Sequence, residues 1–153
     1  MGFADRWVSL IMKYVTTISC SVNLNGSNGV PFTPSRGLRQ GEPPSPYMFL
    51  ICAKCLSSIL CSAKATGSIS GTKDGRYGVP ITHLFFTDDS FLFGQSTLDE
   101  AAQIKALISS YEHASGQLVN YNKSSIFFSG NVPSSLPTAM SSLFDVRIST
   151  NPE

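Results

Sequence analysis

The sequence predicts an α+β fold, and three observations carry that expectation. Residues 4–17 and 97–113 space their apolar side chains three and four apart, as helices with one buried face do. Between them, Leu84-Phe85-Phe86 and Phe91-Leu92-Phe93 flank a small polar cluster, the pattern of a β-hairpin. Dense glycine, asparagine and proline clusters punctuate the remainder as turns.

The first helix places Trp7, Leu10, Ile11, Tyr14 and Val15 on one face. Residues 19–24 alternate weakly and run into Asn25-Gly26-Ser27-Asn28-Gly29, a turn signal. Residues 30–33 read as the return strand, kept to an edge by Pro31 and Pro34. In the loop that follows, Arg36 and Arg39 bracket glycines that permit close backbone approach. Ser45 is placed to cap a second helix over about 46–63, with Pro46 at its first position. Its apolar side is Met48, Ile51, Cys52, Cys55, Ile59 and Leu60. Residues 65–80, with their many glycines, read as a flexible connector.

After the hairpin, Thr97-Leu98-Asp99-Glu100 is a capping box opening a helix that runs to about His113, with Gly116 as its stop. Residues 118–120 and 125–128 read as two short strands, and the pattern loosens beyond Pro133.

The composition bounds what such a fold can do. The chain has 153 residues, only 14% of them charged, 42% apolar, and a net charge of +1. A typical domain is about 25% charged, so this surface is greasy: either an ordinary greasy domain, or a piece whose apolar faces are covered by further chain. The charge is too small to imply nucleic-acid binding by itself. No apolar run reaches the roughly 18 residues of a membrane span, so no membrane partner is expected. The N-terminal residues lack a secretory pattern, and Arg6 breaks the myristoylation motif. Cys52-x-x-Cys55 has no second pair at zinc-ligand spacing, and Cys20, Cys52, Cys55 and Cys61 read as buried thiols in a reducing compartment. His83 and His113 stand alone.

The chemistry gathers at Asp88-Asp89. Two carboxylates about 4 Å apart repel by roughly 4 kcal/mol at an effective dielectric near 20. A hairpin that carries such a pair calls for a cation, and hard oxygen ligands suit Mg²⁺. Successive strand residues point to opposite faces, so Asp88, in phase with Leu84 and Phe86, is the expected main ligand and Asp89 the second. A solvated Asp-Asp turn is the bland alternative. The glycine–arginine loop opening the second helix is a plausible phosphate or nucleotide site, though a weak signal alone.

Three stretches in this order carry a resemblance: Arg39-Gln40-Gly41 through Ser45-Pro46, then Phe86-Thr87-Asp88-Asp89, then Gly116-Gln117 through Asn120 and Lys123. From Gly2 to about Ser129 the chain resembles the reverse transcriptase domain of plant LINE-type (non-LTR) retrotransposons. The resemblance implies a polymerase palm, with an antiparallel sheet carrying the metal site and helices over its other face. It implies two Mg²⁺ ions, an RNA template, a DNA primer and deoxynucleotides. By the match, Asp88 and Asp89 are metal-binding catalytic carboxylates. Gln40 and Gly41 lie against the incoming nucleotide, Arg39 contacts phosphate, and Lys123 is an acid for the leaving pyrophosphate. A solvated loop lysine is the alternative for Lys123.

Departures from the family limit the expectation. Asp5 does not match the family's first catalytic aspartate, and counterparts of the fingers and most of the thumb are missing. Glu42, Pro44 and Thr87 replace the usual Asp, larger aliphatic and Ala. The expectation is a truncated palm over 1–131, then the loosely ordered start of a thumb or linker over 132–153, without polymerase activity by itself. A domesticated module that binds RNA or protein, and a structural α+β domain with an incidental Asp-Asp turn, are the other readings. Cellular location is not indicated beyond an intracellular setting.

Overall fold

The computed structural model describes residues 2–34, 41, 43–73, 75, 77–86, 89–130 and 132–150. The chain divides into two compact units, Met1–Phe49 and Leu50–Glu153. The class is α+β, as expected: among the described residues four helices accompany short, mostly antiparallel strand pairs.

In the first unit α1 (Asp5–Thr16) matches the apolar spacing. Asp5 in its first turn and Lys13 in its last oppose the helix dipole favourably. Phe3 stacks on Trp7 with ring centroids 4.3 Å apart. The strands β1 (Asn23–Leu24) and β2 (Ser27–Asn28) close directly around Asn25 and Gly26, with φ of 51° and 84°. Two consecutive left-handed residues match the twist of a two-residue hairpin, which Asn-Gly adopts cheaply. The return strand therefore starts at Ser27, inside the predicted turn, and the expected 30–33 strand is reduced to one bridge, Cys20 to Phe32. Asn23 Nδ2 donates to Asn28 Oδ1 at 2.8 Å across the pair. No described residue of this unit is buried.

The second unit is organised by α2 (Ser45–Ala65), most of which belongs to it. Leu60 and Ala63 join Ile69 in the core, and Leu56, Phe85, Leu92, Ile104 and Leu107 pack around them. Among the described residues α2 is the one helix long and apolar enough to cross a membrane by length and composition. This corrects the expectation that no apolar run reaches that length; Lys54 and Lys64 are the charged residues within the helix. The cysteines correct a second expectation: none is fully buried, and Cys61 is exposed.

The predicted flexible connector is partly structured. Ile69 is 1% exposed, and β3 (Thr72–Lys73) pairs antiparallel with β4 (Pro80–Ile81). Gly71, at φ 71°, is needed there: a Cβ would stand 2.4 Å from the Ile81 carbonyl oxygen. Next come β5 (His83–Phe86) and β6 (Asp89–Leu92), then α3 (Leu98–Ser115). Thr97 caps α3 by accepting from the Glu100 amide, and Gly116 ends it in the left-handed region, as the sequence predicts.

Beyond α3 the structure departs from expectation. Residues 118–120 form no strand, because the Val119 N–H is taken by Glu112 Oε1 at 2.7 Å. A 3-10 turn (Tyr121–Lys123) follows, then β7 (Ser125–Phe127), α4 (Ser135–Phe144) and β8 (Arg147–Ser149). The segment expected to be loosely ordered, 132–153, thus contributes α4 and β8 to a β-α-β unit, with β8 parallel to β7 and Met140 and Val146 buried. Among the described residues strands pair only two by two, so the broad antiparallel sheet of a palm is not continuous here.

Candidate functional site

The β5–β6 hairpin has the register His83↔Leu92, Leu84↔Phe91, Phe85↔Ser90 and Phe86↔Asp89. Strand alternation sorts its residues by face. Phe85 and Leu92 pack against the core, while Leu84, Phe86 and Phe91 are exposed. Runs apolar on successive residues are expected to be buried on both faces; this ribbon instead has one face against α2 and α3, and the other carries the exposed Leu84, Phe86 and Phe91.

Two hydrogen-bonded groups tie the hairpin base to its neighbours. His83 Nε2 and the Ser57 hydroxyl of α2 share a hydrogen bond of 3.0 Å, and His83 Nδ1 meets Thr82 Oγ1 at 2.9 Å. The His83 ring lies 4.8 Å from that of Phe85. Burial, and secondarily the Lys64 ammonium, lower the His83 pKa below its usual value. The second tie is at β4, where Lys64 Nζ donates to the Pro80 carbonyl at 2.6 Å.

Asp89 is the first residue of β6 and is exposed. Lys123 is exposed at the end of the 3-10 turn, its amide held by Asn120 Oδ1 at 3.3 Å. No hydrogen bond or ion pair between these two side chains is formed among the described residues. Gly41, in the first unit, is exposed at φ 86° with open space where a Cβ would stand. Asp88, Arg39 and Gln40 lie outside the described residues. Among the described residues no three His, Cys, Asp or Glu side chains gather as a metal site. Asp89 alone fits Mg²⁺ in kind, since that ion is held by one or two carboxylates plus substrate phosphates.

Sequence reasoning missed how Glu100 and His83 are used. Glu100 reads as the fourth residue of a capping box. Its carboxylate instead accepts the amides of Ser70 at 2.8 Å and Gly71 at 3.4 Å, and it is buried. Ser57 offered only a weak signal, as one of several hydroxyls on a largely apolar helix.

Other titrating groups sit deeper on the helices. Burial, then the nearby Cys55, raises the Cys52 thiol. Burial, then Cys52, raises Tyr111, whose hydroxyl donates to Gln117. A raised thiol pKa leaves little thiolate at neutral pH, so Cys52 is not an activated nucleophile.

No family model matches the chain. It is 37% identical over 110 residues to an uncharacterized mitochondrial protein of Arabidopsis thaliana, AtMg01250. The matched stretch takes in 69% of this chain and 88% of that protein. The chain belongs to that protein's family. The family relationship supplies no activity.

Proposed function

We propose that the chain is a segment of a LINE-type reverse transcriptase palm that supplies the paired carboxylates of an RNA-directed DNA polymerase. The observation that carries this reading is the hairpin register, which pairs Phe86 with Asp89 and leaves Thr87-Asp88 between two ordered strands. Its support beyond the hairpin is the order of the three motifs and the open backbone at Gly41.

In this reading Asp88 and Asp89 hold Mg²⁺, which on binding neutralises charge on the phosphoryl group being transferred. The hairpin's inner face is fixed by Phe85 and Leu92 in the core, and Asp89 stands on that framework as the first residue of β6. Gly41 lets an incoming deoxynucleotide approach the backbone, and Arg39 and Gln40 contact it. Lys123 donates a proton to the leaving pyrophosphate. The RNA template and DNA primer bind across surfaces completed by further polymerase segments. No membrane partner enters this reading.

These 153 residues contain no match to the family's first catalytic aspartate, so by themselves they extend no primer. The test has two arms, both with Mg²⁺ or Mn²⁺. The purified chain gives no template-dependent extension. A reverse transcriptase of the resembled family, with its counterpart stretch replaced by this one, extends a primer on RNA and stops when Asp88→Ala or Asp89→Ala is introduced. Extension that survives both substitutions refutes the assignment.

A further inference from the structure

We propose that a cleft in the second unit, walled by Lys64, Lys73, Ser70, Thr72, Gln95 and Ser96, binds a phosphate group. The cleft has a volume of about 750 Å³, and among the described residues that line it there is no acidic side chain and no aromatic ring. Lys64 comes from α2 and Lys73 from β3, so two lysines from different elements line one cavity. The bond from Lys64 Nζ to the Pro80 carbonyl fixes that ammonium at the wall and engages one of its three donors. Lys73 is exposed.

The polar side chains beside the lysines are of the kind that meets phosphate oxygens: the hydroxyls of Ser70, Thr72, Ser96 and Ser129 and the amide of Gln95. The Ser70 and Gly71 amides are not available for this, because the buried Glu100 carboxylate holds both. Recognition therefore rests on side chains, lysine acting as a point charge. With no aromatic ring there is no stacking platform for a base. The cleft reads phosphate and not the base attached to it.

Two sources carry this chemistry, the phosphodiester chain of a single-stranded nucleic acid and a free compound such as pyrophosphate. The inference does not depend on polymerase activity, and the two can fail separately.

The experiment measures binding of labelled single-stranded homopolymers by fluorescence anisotropy over a range of salt, and of pyrophosphate by calorimetry. It compares the wild-type chain with Lys73→Gln, Lys64→Gln and, as a control away from the cleft, Lys54→Gln. Lys64→Gln also removes the bond to Pro80, so Lys73→Gln is the deciding variant.

If the phosphodiester is the ligand, homopolymers of different base bind alike. Each cleft substitution then lowers the slope of log affinity against log salt by about 0.7. If the free compound is the ligand, pyrophosphate binds, homopolymers do not, and Lys73→Gln weakens pyrophosphate binding severalfold. Either result supports the cleft. Absence of binding by both ligands, or binding that Lys73→Gln leaves as strong and as salt-dependent as Lys54→Gln does, overturns it.

Discussion

Glu100 Oε1 accepts the Ser70 backbone N–H at 2.8 Å, joining the start of α3 to a turn 30 residues earlier in the chain. The same oxygen accepts from Gly71 at 3.4 Å, next to the point where β3 begins. One side chain thus fixes the turn between α2 and the β3–β4 pair, and with it the base of the hairpin.

Glu100→Ala leaves two amides without their acceptor in a part-buried site. Leaving buried polar groups unpaired costs about 1–3 kcal/mol. Urea unfolding of Glu100→Ala is expected to show a loss in that range, with Glu100→Gln, which keeps an acceptor oxygen, losing less. Equal losses in both variants would mean that the charge, not the hydrogen bonds, matters.

Gly71 and Gly67 both have positive φ, 71° and 75°, but differ in space. Alanine at Gly67 meets nothing within 4 Å, so only the left-handed backbone penalises it, by about 1–2 kcal/mol. Alanine at Gly71 adds a clash with the Ile81 carbonyl at 2.4 Å, against backbone that cannot rotate away. Thermal melts are expected to rank Gly71→Ala well below Gly67→Ala, and both below wild type.

His83 makes stability pH-dependent in one direction. Its folded pKa is depressed, so the unfolded chain binds the proton more readily. The contribution is fully present above the ordinary histidine value near 6.5 and is lost as pH falls through the lower folded value. Lys64 is the charged neighbour that adds to this, and Ser57, Thr82 and Phe85 complete the surroundings. Melting temperature measured from pH 7.5 down to 5 should fall more steeply for wild type than for His83→Gln. Parallel curves would remove His83 as the cause.

Mg²⁺ is expected to bind the hairpin tip at millimolar affinity or weaker, since it normally shares its carboxylates with substrate phosphates. Asp88→Asn should abolish the NMR shifts that Mg²⁺ causes in the hairpin. Asp89→Asn, which also relieves like-charge repulsion, should cost less. Greater damage from Asp89→Asn would reverse the strand-parity assignment.

What the sequence by itself determined is what short-range physics controls. The Thr97 cap, the Gly116 stop and the spacing of Ala101, Ile104 and Ile108 are local, and α3 formed between those signals. The two apolar runs around Asp88-Asp89 likewise gave β5 and β6, because a tight hairpin closes between residues adjacent in the chain. The motif positions Gly41, Asp89 and Lys123 were legible as residue types, while Arg39, Gln40 and Asp88 fall outside the described residues.

Only the tertiary structure decided which partners distant segments choose. A run such as Leu84-Phe85-Phe86 is apolar on both faces, and its sequence does not say that only Phe85 reaches the core. Parallel pairing of Ser125–Phe127 with Arg147–Ser149 requires α4 to cross between them, so no local signal announces it. Glu100 is the sharpest case. Its spacing from Thr97 favours a reciprocal cap, yet its carboxylate instead takes two amides that the fold of another loop brings to it. Pairing across such distances depends on loop closure and shared burial, which are properties of the whole chain and not of any one segment.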